Sequence, residues 1–318
     1  MKYLFSLVTL SVLVAQVNRE ITVLASFADF QQIKDTDFYL AWELPVNTEN
    51  HQSFYHFKSF NDDDYLMFDQ LLSNPNHAIL FLSFDHSKTD IDMVATFKSG
   101  KQGIFKRKPL YWIGLQEVES SYRFVMDLMK TLKEDEKLYS LLNVHQKDKE
   151  TLDFYKKRFA DANSNRGRKD LIFWIGAIRS IDAAKELDRI LDMDISLSLK
   201  EQVMFAYSRN RTEYAMRRLI SISKDDQISG SVRKKAKFWL ANAVSRLIES
   251  KYSQEVYSGD DLEVRESAVF ALYNMHDYNA LKDIATKSKD VRLRKKAIFW
   301  LGQIDQTPVD FFEKLLNL

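Results

Sequence analysis

The feature that most constrains this chain is a short pattern that recurs five times in its C-terminal half. The copies are Arg168-Lys-Asp-Leu-Ile-Phe173, Lys200-Glu-Gln-Val-Met-Phe205, Arg233-Lys-Lys-Ala-Lys-Phe238, Arg265-Glu-Ser-Ala-Val-Phe270 and Arg294-Lys-Lys-Ala-Ile-Phe299. Each holds a base, two mostly polar residues, a small or aliphatic residue, one free position and Phe. The Phe residues are 32, 33, 32 and 29 positions apart. A fixed period of this length predicts stacked units, none of which can bury its own apolar face alone. The expected architecture is mainly α: a superhelix of about five to six helix pairs over residues 136–318.

Within one unit, Val232, Ala236, Trp239, Leu240 and Ala243 fall on one face at 100° per residue, and Phe238 widens that arc on its flank. The spacing predicts that Phe173, Phe205, Phe238, Phe270 and Phe299 occupy equivalent buried sites on consecutive parallel helices. On that expectation Phe270→Ala costs about 3–5 kcal/mol, as for a buried aromatic truncation. Trp174, Trp239 and Trp300 share one repeat position, which reads as core rather than as a carbohydrate platform. Shorter second helices are expected at Ala183–Leu191 and Tyr278–Ala285, and a capping helix from Val309 to Leu318. Ser245 to Tyr257 lacks a small-residue second helix and breaks the pattern.

The sparse helix breakers agree with long helices and short turns: 8 Gly and 4 Pro in 318 residues. The absence of Cys excludes disulfides, Cys-ligated zinc, iron–sulfur clusters and thiol catalysis. Residues 1–15 have the layout of a cleaved secretory signal: Lys2, an apolar run from Tyr3 to Val14, then Ala15 before Gln16. That run is shorter than the about 20 residues a membrane span needs. Its removal leaves 45 bases and 45 acids, so no global charge steers the mature chain to nucleic acid or an anionic membrane.

Residues 16–115 carry no repeat and read as a small β-rich region. Strands are expected at Phe38–Val46, Ala78–Phe84, Ile91–Phe97, Ile104–Phe105 and Leu110–Ile113, joined mostly as antiparallel hairpins. Turns are expected at Asn61–Asp64, Asp85–Asp90 and Ser99–Gly103, and a short helix at Tyr65–Leu72. A connecting helix over 116–135, capped by Ser120 or Ser121, buries Tyr122, Val125, Leu128, Met129 and Leu132. Leu138–His145 and Thr151–Phe159 form a degenerate helix pair ahead of the clear repeats.

Val264-Arg-Glu-Ser-Ala-Val-Phe-Ala-Leu272 and Leu293-Arg-Lys-Lys-Ala-Ile-Phe-Trp-Leu-Gly302 resemble HEAT repeats of the kind found in bacterial exported HEAT-repeat proteins (PBS-lyase-like repeats). Pro109-Leu-Tyr-Trp-Ile-Gly114, followed by the helix near Ser120, is similar to the junction in that group. The resemblance implies an armadillo-type α-solenoid that binds protein, and it carries no catalytic residue to transfer.

Candidate chemistry is thin. The recurrent bases Arg168, Lys200, Arg233, Arg265 and Arg294 read as a structural ladder, with Asp261 and Asp290 four residues before Arg265 and Arg294. Lys234, Lys235, Lys295 and Lys296 belong to basic clusters and are the candidate partner contacts. His51 and His56 stand near Asp62–Asp64, but no His pair has metalloprotease spacing. No phosphate loop and no Gly-x-Ser-x-Gly occurs. The leading expectation is a non-catalytic exported scaffold, periplasmic or extracellular, without cofactor or metal, that binds a protein partner. Two alternatives stay open: a nucleic-acid-binding or glycosylase-like HEAT protein using the basic clusters, and an enzyme with a site in the N-terminal region.

Overall fold

A computed structural model of the chain describes residues 21–46, 63–67, 71–97, 102–106, 108–132, 134–252, 266, 269–270 and 272–316. Residues 1–15, His51, His56, Asp62, Asp261 and Arg265 lie outside them. The protein is mainly helical with a small N-terminal sheet. It divides into two compact units, Met1–Lys147 and Asp148–Leu318.

The first unit is built on a five-stranded sheet in the order β1-β7-β2-β4-β5. Its strands are β1 (Ile21–Val23), β2 (Phe38–Leu44), β4 (Ala78–Asp85), β5 (Ser87–Phe97) and β7 (Leu110–Leu115). A separate two-stranded sheet pairs β3 (Asp63–Met67) with β6 (Gln102–Lys106). The expected antiparallel pairing holds for β2–β4–β5, but β7 runs parallel to both β1 and β2. A parallel pair needs a crossover, and no turn beside β7 marks one. The helix expected at Tyr65–Leu72 is corrected: Tyr65 to Met67 pair with Ile104 to Gln102 as strand. A short apolar run fits either period, and the cross-strand partner decides it.

Every residue of β2 is buried, as a strand packed on both faces requires. One face joins Tyr39 and Ala41 to Ile79, Phe81, Ala95, Phe97, Leu110 and Trp112. On the other, Phe38 stacks on Phe84 with centroids 4.6 Å apart. A 3-10 helix (Phe27–Gln32) and α1 (Val118–Met129) cover that second face. There Phe27 stacks on Phe124, and both rings meet Trp42 edge-on. Helix α1 starts at Val118, so Ser120 and Ser121 lie inside it and do not cap it. Tyr122, Val125, Leu128 and Met129 are buried as expected, but Leu132 lies past the end of the helix and is only half-buried. A 3-10 turn at Asp135–Leu138 and α2 (Tyr139–Val144) complete the unit.

The second unit comprises α3 (Asp148–Asp161), α4 (Asn165–Ala177), α5 (Ile181–Leu191), α6 (Leu197–Asn210), α7 (Glu213–Lys224), α8 (Gly230–Tyr252), α9 (Tyr278–Lys287), α10 (Val291–Gln303) and α11 (Val309–Leu316). Side chains cap the helix starts: Ser164 accepts from Gly167 N–H, Ser180 from Ala183, Thr212 from Ala215 and Asp277 from Ala280. The Phe-bearing helices pack in the order α4–α6–α8–α10. Their closest approaches are made by small residues. A Cβ on Gly176 would lie 2.6 Å from the Ala206 Cα, and one on Gly302 2.5 Å from the Ala241 Cβ.

The C-terminal part departs from a regular stack. Helix α8 continues through Tyr252 without a turn, and α10 packs directly on it. Contacts there run in opposite senses: Lys237 of early α8 donates to the carbonyls of Ile304 and Asp305, just past the end of α10. Likewise Lys224, at the end of α7, pairs with Asp310 and Glu313 in α11. The expectation of consecutive parallel helices is therefore corrected for the α10–α11 pair. The helical residues around Phe270 meet α10 through Trp300. Position 273 is the physical reason. Three residues after the repeat Phe stand Gly176, Ser208, Ala241 and Gly302, but the fourth copy has Tyr273. A ring that large cannot enter a contact that leaves no room for a methyl group.

Candidate interaction surface

The small residues that bring the helices together displace the large ones. In α4 the repeat Phe stands three residues before Gly176, about 60° around the helix from the contact line. Phe173, Phe205, Phe238 and Phe299 are consequently half-buried, not buried, and Phe270 is 45% exposed. The sequence reading of these five as equivalent core positions is corrected. Trp174, Trp239 and Trp300, read there as core, are also half-buried.

These rings touch in one continuous chain. Phe173 meets Trp174 at 4.8 Å and Phe205 at 5.9 Å, and Phe205 meets Trp239 at 4.4 Å. Phe238 then links Trp239 (4.8 Å) to Phe299 (6.1 Å), which contacts Trp300 at 4.9 Å. Trp300 carries the chain to Phe270 at 5.0 Å and Tyr273 at 4.5 Å. At the other end the Arg209 guanidinium sits 5.0 Å from the Phe173 centroid, in cation–π range. Beside the chain, the Trp300 Nε1 and the Gln303 side-chain nitrogen are buried atoms without a hydrogen-bond partner among the described residues. Sequence reasoning missed this surface because the periodicity of a half-buried flank equals that of the core. The Gly and Ala at the third following position were the available signal.

Among the described residues, three of the recurrent bases make local bonds. Arg168 Nε donates to the Ala162 carbonyl just past α3, and Arg294 Nε to the Ala285 carbonyl in the last turn of α9. Both reach a helix C-terminus, where a cation is favoured. Arg233 pairs with Asp226 in the turn before its helix, and Lys200 is half-buried on α6. The Asp290 carboxylate accepts the N–H groups of Arg292 and Leu293 at the start of α10. Of the candidate lysines, Lys234 pairs with Asp305 at 2.8 Å and Lys296 with Glu266 at 3.3 Å. The Lys234 hydrogen bond holds the Asp305 carboxyl below its usual range. Lys235 is exposed and Lys295 half-buried.

Three polar constellations stand among the described residues of the first unit. Ser121 accepts from Trp42 Nε1 at 2.7 Å and meets His145 Nε2 at 2.7 Å, while His145 Nδ1 lies 2.6 Å from the Leu141 carbonyl. The carbonyl fixes the proton on Nδ1, so Nε2 accepts from Ser121. Both residues are buried, and burial pushes the imidazole down to about 4. A hydroxyl closed off by Trp42 and its own histidine is a core fixture, not a reachable nucleophile. Glu43 is buried on β2; burial opposes its charge, but hydrogen bonds from Ser73, His77 and Asn74 outweigh it and lower its carboxyl. Asp37, Asp85 and His86 converge at the apex of the β4–β5 hairpin, where His86 adopts φ 63° and its side chain is 83% exposed. The hydrogen bond it shares with Asp85 and the one it accepts from the His86 N–H hold the Asp37 carboxyl below its usual range. The Lys108 ammonium already stands 3.2 Å from Asp85.

Two cavities lined by described residues are open. One of about 570 Å³ lies between the 3-10 helix and α1, lined by Phe27, Phe30, Phe124, Gln31, Arg123 and Asp127 among others. The other, about 400 Å³, lies between α7 and α11 against Arg211, Met216, Ile220 and Leu316. No helix among the described residues is long and apolar enough to cross a membrane. No family model matches the chain, and no curated protein matches it.

Proposed function

We propose that this protein is a non-catalytic, exported scaffold that binds a partner polypeptide along the ring-bearing helices of its second unit. The observation that carries the reading is the continuous chain of half-buried Phe and Trp rings from Phe173 to Trp300. Contiguous aromatic surface of this kind marks interaction sites, and Trp and Tyr supply much of the energy of such interfaces. On this reading the helix pairs are HEAT-like units of a solenoid whose C-terminal pair is reversed. Export rests on the order of charge, apolar run and small residue in positions 1–15.

The nucleic-acid alternative draws less support, because Lys234 and Lys296 are each paired with an acid of the same chain. The test is affinity capture from the envelope fraction with wild type and with Phe205→Ala/Trp239→Ala. A specific protein retained by wild type and lost by the double variant supports the reading. Equal retention by both, with the variant folded, overturns it.

A further inference from the structure

The cavity of about 570 Å³ between the 3-10 helix and α1 joins an aromatic floor to two charges whose bonding is incomplete. Its volume is that of a small-molecule site, roughly 300–1,000 Å³. Phe27 and Phe124 form the floor, stacked at 4.3 Å and both half-buried, with the buried Phe30 edge-on to Phe124 at 5.4 Å. Arg123 and Asp127 flank Phe124 on α1 and line the same cavity. Opposite charges four residues apart on a helix are placed to pair, yet no ion pair joins these two. Arg123 lies 3.3 Å from Glu119 instead and makes no hydrogen bond among the described residues. Glu119 already accepts from Lys147 at 2.8 Å, the main cause of its lowered carboxyl. Asp127 accepts from Lys130 at 2.7 Å through Oδ1, and its Oδ2 has no hydrogen bond among the described residues.

A guanidinium fork and a carboxylate oxygen thus stand one helical turn apart beside an apolar floor. Exposed ion pairs such as Arg123–Glu119 and Asp127–Lys130 contribute little, so a ligand displaces or shares them at small cost. A ligand that fits brings an anion to Arg123, a cation to Asp127 and an apolar body to the rings. A plain carboxylate would face Asp127 uncompensated, and a plain amine would face Arg123. An interior peptide segment carries neither charge. An α-amino acid carries both on one carbon. We infer that this cavity binds a free amino acid with a large apolar side chain. Its carboxylate accepts from Arg123, its ammonium donates to Asp127, and its side chain packs on Phe27 and Phe124. An aromatic side chain gains most there, because rings add offset-stacked or edge-on contacts to plain burial. The inference concerns the first unit and does not rest on the scaffold reading.

The test is calorimetric titration of the purified full chain with L-phenylalanine, 3-phenylpropanoate and 2-phenylethylamine. The three share one ring and differ in which charges they carry. L-Phenylalanine should saturate with a Kd tighter than about 1 mM. Each singly charged analogue should bind at least about tenfold more weakly, the usual effect of losing a hydrogen bond to a charged group. Arg123→Gln should weaken L-phenylalanine about tenfold and leave 2-phenylethylamine unchanged. Asp127→Asn should weaken L-phenylalanine similarly and leave 3-phenylpropanoate no weaker. Both side chains are exposed, so neither change should move the melting temperature. Phe205→Ala/Trp239→Ala, in the second unit, should bind L-phenylalanine as wild type does.

The inference is overturned if L-phenylalanine does not saturate, or if both charge variants bind it as wild type does. Equal binding of 3-phenylpropanoate would also overturn it, assigning the cavity to a plain apolar carboxylate. Equal binding of L-glutamate would do the same by showing that the rings select nothing. Each of these outcomes leaves the scaffold reading of the second unit untouched, since that reading is decided by capture of a partner protein.

Discussion

In the sheet unit Phe38, Trp42, Phe81, Phe84 and Phe97 are wholly withdrawn from solvent, whereas in the helical unit Phe173, Phe205, Phe238 and Phe299 stay half open. The two units draw on the same residue types and place them oppositely, and the geometry of their contacts explains why. A strand packed on both faces holds its side chains roughly perpendicular to the sheet, about 10 Å from the next layer. A Phe or Trp fills that depth. Helices that meet at Gly176 and Ala206, or at Gly302 and Ala241, bring their backbones together and leave no depth to fill. Their rings are moved to the flank, so the aromatic residue that builds the core of the first unit builds the surface of the second.

The largest effect that tests this contrast is a truncation in the sheet unit. Phe81 is buried between Tyr39 at 5.0 Å and Phe97 at 5.7 Å. Phe81→Ala should cost about 3–5 kcal/mol. Urea melts of the full chain, with hydrogen exchange read on β2 and β4, would check it. A loss below about 1 kcal/mol would break the contrast from the sheet side.

Acid separates the units next. His145 is neutral and buried, with its pKa lowered from 6.5 to about 4 by burial. As pH falls through this window the unfolded chain takes up a proton that the folded chain refuses, so stability falls with pH. The loss should reach roughly 3 kcal/mol near pH 4. Glu43, with its carboxyl lowered, adds a second loss only below about its ordinary value of 4.5. Exchange protection of α1, α2 and the sheet should therefore fade between pH 6.5 and 4 while that of α4 and α6 holds. In His145→Gln the slope across that window should flatten. An unchanged slope would show that His145 is not the group responsible.

How much of this was legible in the sequence follows from the same contrast. The helices, their capping residues and the sheet strands β2, β4, β5 and β7 were readable because burial periodicity and turn residues are local. The parallel partners of β7 were not, since pairing partners far apart in sequence leave no local mark. Nor was the reversed packing of α10–α11, although Tyr273 in a column otherwise filled by Gly, Ser and Ala carried the signal. The candidate surface was legible as a set of residues but misread as core, because a hydrophobic period reports a shared face and not how closely the neighbour approaches. Ser121–His145 joins a helix interior to a position 24 residues away and had no spacing to betray it.

A third effect tests the close approach itself. Gly302→Ala puts a methyl group where the Ala241 Cβ lies 2.5 Å away. Overpacking of this kind costs about 1–3 kcal/mol. Gly230, with nothing within 4 Å of an added Cβ, is the control: Gly230→Ala should leave stability unchanged or raise it by up to about 1 kcal/mol. If both variants melt alike, backbone contact between α8 and α10 is not what displaces the rings.

The smallest effect is the one that most directly separates the two placements of phenylalanine. Phe270 belongs to the same sequence column as Phe173 and Phe299, yet it is 45% exposed and leans on Trp300 and Tyr273 from the outside. Its truncation removes one edge of a surface cluster and opens no cavity. Alanine is also the better helix former, by up to about 0.7 kcal/mol. Phe270→Ala should therefore cost less than about 1 kcal/mol in denaturant melts, where a core position would cost about 3–5 kcal/mol. The same variant should weaken capture of the partner, since the ring extends the row beyond Trp300. A loss of several kcal/mol would put Phe270 back in a core and end the distinction on which the interaction surface depends.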